Sequence, residues 1–395
     1  MAVVKIENID IVFGKNLAKT LPLMDKGHGR DEIIGITGDV VGVRDANIEV
    51  NEGEICVLMG LSGSGKSTLL RAVNGLNKVA RGRCMVRDGD KMVDMASCDD
   101  ATLRRMRTHR VSMVFQSFAL MPWLTVLENV AFGLEMQGMP KNERLEKAKE
   151  QLKMVGLDKW ASKYPDELSG GMRQRVGLAR AFAMDTDVLL MDEPFSALDP
   201  LIRSQLQDEL IELQKRLKKT IIFVSHDLDE ALKIGSKIAI MESARIVQQN
   251  TPEQIVLNPA TEYVERFVAH TNPLHVLCGN SLMTPIVELP VKDNRYSLTE
   301  NLWMTLKEGE FVDVQSAQGE SVATPQWEEG MDIDDLQEGV IVRVPENIKM
   351  RDAVEIRYQS KRPLLLENAG QCVGLLTDHN FYHALLGKHF SRDEV

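Results

Sequence analysis

The chain has 395 residues, 44% of them hydrophobic, with 47 Lys and Arg against 58 Asp and Glu and a net charge of −11. At roughly 100–200 residues per domain that length gives two or three domains, and the apolar content excludes a disordered or collagen-like chain. The acidic balance argues against a nucleic-acid partner, which calls for a basic face.

Taken in chain order, residues 4–13 alternate as a strand, and residues 15–41 form a long connection with room for one short helix and no readable motif. Residues 47–50 and 54–59 flank Asn51-Glu52-Gly53 as the arms of a hairpin would. Apolar strands are expected at 111–115, 188–192 and 221–225, separated by helical patterns. The stretch 201–218 spaces its apolar residues by three and four, without Gly or Pro. Strands alternating with helices predict an α/β fold with a parallel sheet covered on both faces. No apolar run reaches the roughly 18–20 residues of a membrane span, and the first ten residues lack the pattern of a secretory signal. Five cysteines (Cys56, Cys84, Cys98, Cys278 and Cys372) form no CxxC pair, so a reducing, cytosolic setting is expected.

The first site motif is Gly60-Leu61-Ser62-Gly63-Ser64-Gly65-Lys66-Ser67, which fits G-x-x-x-x-G-K-[ST] between an apolar strand and a helical run. Glycines let backbone N–H groups turn inward around phosphate oxygens, and the following helix N-terminus adds positive potential. Lys66 would reach the β- and γ-phosphates of ATP, and the Ser67 hydroxyl would ligate Mg²⁺. A second signal ends the strand 188–192 in Asp192-Glu193. Two carboxylates at the end of a buried strand suit a cation: Asp192 would hold Mg²⁺ and Glu193 would orient the attacking water. The competing reading is that the pair only caps the next helix.

Leu168-Ser169-Gly170-Gly171-Met172 resembles the LSGGQ signature of ABC-transporter ATPases, with Met172 in place of Gln. Gln116 resembles the family's Q-loop, Ser196-Ala197-Leu198-Asp199 its D-loop and His226 its switch histidine, all in the family's order. The resemblance spans about residues 1–270 and implies a P-loop ABC cassette. It implies that Gln116 completes the metal environment and that His226 contacts the γ-phosphate. Phe13 would stack on adenine, with plain core packing as the alternative. Thr68 closes the phosphate-loop run. Ser169, Gly170, Gly171 and Asp199 would serve ATP bound by a second cassette, so a homodimer is implied.

The runs 59–68, 115–122, 168–178 and 195–203 are similar to those of glycine betaine, proline betaine and choline importers. That branch implies an ATP-hydrolysing subunit on the cytoplasmic face of the membrane. Its partners would be permease subunits and, indirectly, a solute-binding protein. Aromatics are only 5% of the chain and form no amine cage, so substrate choice would lie elsewhere. Met121, Trp123 and Leu124 lie in the segment where the family docks its permease, and core packing is the alternative for them. Other readings are an importer for another small solute and a soluble, non-transport ABC protein.

From His275 onward the chain has 11 basic and 20 acidic residues, which places a domain boundary near Thr271-Asn272-Pro273. Residues 1–272 would be the cassette and 273–395 a second, α+β module. Its order, strand–helix–strand–strand–helix over 340–386, looks like a CBS motif, with residues 275–306 as a degenerate partner. Asn380 stands where adenosine-binding CBS motifs often carry Asp. The module would respond to ionic strength or a nucleotide, or serve only in dimerisation.

Overall fold

The computed structural model describes residues 1–386 except 270, 273, 275 and 329. The expected boundary residue Pro273 and neighbouring His275 lie outside the described residues. The chain divides into two compact units, Met1–Pro252 and Glu253–Val395.

In the first unit, a six-stranded sheet runs in the order Arg245–Asn250, Lys237–Glu242, Ile55–Met59, Thr220–Val224, Val188–Asp192 and Val111–Val114. All neighbours pair in parallel except the first two strands. Ile55–Met59, Val188–Asp192 and Thr220–Val224 are buried at every position, as strands covered on both faces must be. A separate antiparallel sheet orders Val40–Asn51, Ala2–Phe13, Arg81–Asp88 and Lys91–Asp94. Asn51-Glu52-Gly53 is therefore no hairpin turn: it carries the chain from one sheet to the other. The hairpin signal is local, whereas the wholly apolar strand Ile55–Met59 is drawn to the sheet centre. Glu54 fixes the crossing by accepting from the Asn51 backbone and side-chain amides at 2.8 and 3.0 Å. A helical layer of Val126–Met136, Lys141–Met154 and Gly170–Ala183 packs on Val130, Leu134, Leu152 and Val176.

The unread connection 15–41 holds two helices, Leu17–Asp25 and Arg30–Thr37, where the sequence suggested one. Met24 and Ile33 bury against Val41 and Ala244. Its base is pinned by buried Asp39, which accepts from the Lys15 and Asn16 amides, both at 3.1 Å, and from the Thr20 hydroxyl at 2.7 Å.

The second unit contains Arg343–Pro345, Met350–Ser360, Leu364–Asn368, Gln371–Leu376 and Asp378–Leu386, in the expected strand–helix–strand–strand–helix order. The first two strands pair in parallel and the last two antiparallel. Residues 276–306 hold the short helix Gly279–Leu282 and the strands Arg295–Thr299 and Leu302–Lys307. Among the described residues they contain no long helix, so they do not build a full partner motif. Asn380 is fully engaged: its carbonyl accepts from the Thr377 amide and hydroxyl, both at 2.7 Å, and its amide donates to Leu282.

Among the described residues no helix is long and apolar enough to cross a membrane. All five cysteines are free, and burial pushes the thiols of Cys56, Cys84, Cys278 and Cys372 up to about 12.

Replacing Asp39 with Ala strands two amides and a hydroxyl, and is expected to destabilise the first unit by about 1–3 kcal/mol. A thermal melt checks this; an unchanged midpoint would show that the carboxylate does not hold the insertion.

Candidate active site

The phosphate loop leaves the sheet at Met59 and re-enters structure at the helix Lys66–Val73. Two of its glycines are obligatory. A Cβ on Gly60, at φ +138°, would stand 2.1 Å from the Met241 carbonyl oxygen; one on Gly65, at φ +105°, would stand 2.3 Å from that of Gly42. Lys66 folds back across the loop, donating to the Gly60 and Leu61 carbonyls at 2.8 and 3.1 Å. Burial pushes its ammonium below the ordinary lysine range, while nearby Glu193 and Asp192 oppose that fall. Ser62 and Gly63 are exposed, Thr68 is half-buried, and the buried Ser64 hydroxyl has no partner. A glycine-lined loop at a helix N-terminus, with an orphaned hydroxyl inside it, fits a phosphate chain.

Asp192 is fully buried and doubly paired. Ser67 donates its hydroxyl to one carboxylate oxygen at 2.7 Å, and Arg71 donates to the other at 2.9 Å. The next residue, Glu193, takes φ +49°, a conformation that side chains other than glycine rarely adopt. Its carboxylate accepts from the Gln116 amide at 2.9 Å, and His226 Nδ1 lies 3.5 Å from the same oxygen. Thus Gln116, Glu193 and His226 meet beside Lys66, Ser67 and Asp192. Capping does not explain the carboxylates. The following helix, Pro200–Leu217, is capped by Asp199, which accepts from the Ile202 amide at 3.0 Å. Asp227 caps the helix after His226 in the same way. Ser67, Asp192 and Gln116 each carry an oxygen donor of the hard kind that Mg²⁺ takes, and Ser67 and Asp192 are in direct contact.

Of the other expected residues, Phe13, Ser169, Asp199 and Trp123 are exposed and Gly170 and Gly171 half-buried. Phe13 ends its strand 46% exposed, with its ring against Gly42, so it is not core. Ser169 caps the helix Gly170–Ala183 by accepting from the Met172 amide at 3.3 Å, and Gly170 and Gly171 form its first turn. No hydrogen bond among the described residues links Ser169, Gly170 or Asp199 to the phosphate loop. Trp123 is 71% exposed, whereas Met121 and Leu124 are half-buried.

Sequence reasoning missed three supporting side chains. Arg71 neutralises Asp192. Gln174, 1% exposed, donates to the Glu193 carbonyl and accepts from the Ala197 amide, both at 3.2 Å. Arg180 donates to the carbonyls of Phe118 and Ala119, both at positive φ, at 2.9 and 2.7 Å. Buried Gln174 and half-buried Arg180 interrupt the apolar residues of their helix; that break was the available signal. Beside Gln116 lies a groove of about 380 Å³ whose lining includes Phe115, Met121, Phe132, Met136 and Met184.

The family description "ABC transporter" matches residues 43–196. The glycine betaine transport ATP-binding protein OpuAA of Bacillus subtilis is 41% identical, over 96% of this chain and 93% of that one. The glycine betaine/proline betaine transport system ATP-binding protein ProV of Escherichia coli is 52% identical, over 67% of this chain and 65% of its own length. Among solved structures, a dimeric ATP-binding cassette in a post-hydrolysis state with ADP and Pi aligns with a TM-score of 0.54. It is 30% identical, over 63% of this chain and 98% of that one. The chain belongs to the ABC transporter family, in the group of ATP-binding subunits that includes these glycine betaine transport proteins.

Proposed function

We propose that this chain hydrolyses ATP to drive uptake of a quaternary amine such as glycine betaine or choline through a membrane permease. The observation that carries the reading is the convergence of Gln116 and His226 on the Glu193 carboxylate, one residue beyond the Asp192 contact to the phosphate loop. Relatives named for glycine betaine and for trimethylamine N-oxide transport support the substrate class.

The loop 60–65 and Lys66 bind the phosphate tail, and the exposed Phe13 ring offers adenine a stacking surface. Ser67, Gln116 and Asp192 would hold Mg²⁺, which neutralises charge on the β- and γ-oxygens when bound. Glu193 accepts a proton from water as the water oxygen bonds to the γ-phosphorus. The bond from that phosphorus to the β–γ bridging oxygen then breaks, and ADP departs with the electron pair. His226 orients the γ-phosphate and Glu193.

Ser169 and Asp199 are exposed, Gly170 and Gly171 half-buried, and no hydrogen bond among the described residues ties Ser169, Gly170 or Asp199 to their own phosphate loop. That placement supports a second copy as the source of the ATP they contact, in line with the dimeric cassette of the solved relative. Closure of such a dimer on ATP and its reopening after hydrolysis would drive the permease. The exposed Trp123, two residues along the chain from the groove-lining Met121, is the anchor for that permease, which would hold the chain at the cytoplasmic face of the membrane. A solute-binding protein would select the amine. The second unit serves as a CBS-like regulatory or packing module. Its net acidic charge would be screened over about 8–10 Å at physiological salt, which suits a response to ionic strength.

Glu193→Gln is expected to retain MgATP binding and to lower kcat by at least about a hundredfold. Near-normal hydrolysis would remove Glu193 from the reaction. Trp123→Ala is expected to reduce co-purification with the permease while sparing nucleotide affinity; undiminished co-purification would reassign the anchor.

A further inference from the structure

The insertion 15–41, for which the sequence offered no motif, delivers a cation to the phosphate loop. We propose that Arg30 is a positioning residue of the nucleotide site, holding the loop 60–65 in the shape that receives the phosphate tail of a nucleoside triphosphate. This rests on the nucleotide reading above.

The contact is direct: Arg30 Nη1 donates to the Gly63 carbonyl at 2.7 Å across 33 residues of sequence. Around Gly63 itself there is open space. It is exposed, at φ +78°, and a Cβ there would meet nothing within 4 Å. Packing therefore does not fix its peptide. Because a trans peptide sets its C=O and following N–H on opposite sides, fixing the Gly63 carbonyl also fixes the Ser64 N–H. That N–H turns back toward the loop and reaches the Leu61 carbonyl at 3.2 Å. Lys66 already holds the Gly60 and Leu61 carbonyls. Two cations, one from the loop's own helix and one from the insertion, thus hold three carbonyls of a glycine-rich loop.

The location of Arg30 also runs against local preference. It is the first residue of the helix Arg30–Thr37, where the helix field disfavours a positive charge. Asp31 and Glu32 follow in the same turn and suit that field. Helix stability alone does not explain an arginine there; an acceptor on a phosphate-binding loop does. The hairpin is built to place it. Asp39 pins both ends, Met24 and Ile33 are buried, and Arg44 donates to the His28 carbonyl at 2.9 Å, two residues before Arg30. Pre-organising a glycine-rich loop in this way improves affinity by reducing what must be ordered on binding.

The test compares the full-length protein with Arg30→Gln, Arg30→Met and Arg30→Lys, measuring MgATP turnover and the melting temperature without nucleotide. Loss of one charge-assisted bond is expected to raise KM for ATP about fivefold in Arg30→Gln and Arg30→Met. The same variants should lower kcat by less than about twofold, and Arg30→Lys should recover most of the affinity. A KM within about twofold of wild type in both neutral variants would overturn the proposal. So would equal failure of Arg30→Lys, or a KM change that only follows a lowered melting temperature, since either indicates hairpin packing. Wild-type protein that fails to hydrolyse MgATP would sink the nucleotide reading itself, a result distinct from either.

Discussion

A buried carboxylate governs the geometry of this site. Asp192 has no exposure to water, and an unpaired charge in that position would be untenable. Its two oxygens are satisfied by Ser67 and Arg71, both on the helix that follows the phosphate loop. The pairing ties the end of one central strand to the loop delivered by another. Losing either partner would leave a buried carboxylate oxygen short of its hydrogen bond, so the register between the two is strongly enforced. With Asp192 fixed, the chain must turn at once, and Glu193 takes its left-handed conformation there. The carboxylate that faces Gln116 and His226 is in this sense a consequence of the one before it.

The parts around that fixed point are held by side chains reaching across elements. Gln174, on the helix that Ser169 caps, grips the turn containing Glu193 and Ala197. Arg180, on the same helix, holds the strained backbone of Phe118 and Ala119 just beyond Gln116. One helix therefore braces the segments on both sides of the Glu193 carboxylate. Ser225, beside His226, donates to Glu230 at 2.5 Å, and Gln207 donates to the same carboxylate at 3.1 Å. Burial raises the Glu230 carboxyl above its ordinary range, opposed by those two hydrogen bonds. Movement of any one of these helices would be transmitted to Glu193 and His226.

Much of this was legible in the sequence because the chemistry demands contiguous residues. A phosphate loop needs its glycines, lysine and serine in fixed spacing, and a strand ending in Asp192-Glu193 stands out against its apolar run. Contacts between distant segments were not legible. Arg30 is a lone arginine in an unpatterned stretch, and only folding brings it to Gly63. The turn at Asn51-Glu52-Gly53 carried a true turn signal, yet which strand pairs with Ile55–Met59 is decided by burial, not by proximity. In the second unit, the periodic stretch 340–386 was readable, whereas 276–306 has short elements whose pairing is set by neighbours. Met283, for example, packs where a Cβ on Gly374 would lie 2.3 Å from its sulfur.

The account joins an ATP site to amine uptake, and transport tests that link most directly. Cells stripped of other betaine and choline carriers would be assayed for uptake of radiolabelled glycine betaine and choline, with and without this gene. The account predicts uptake of at least one compound that disappears when the gene is removed. Equal uptake of both in its presence and absence would contradict the coupling to quaternary amines and leave an ABC ATPase with a different cargo.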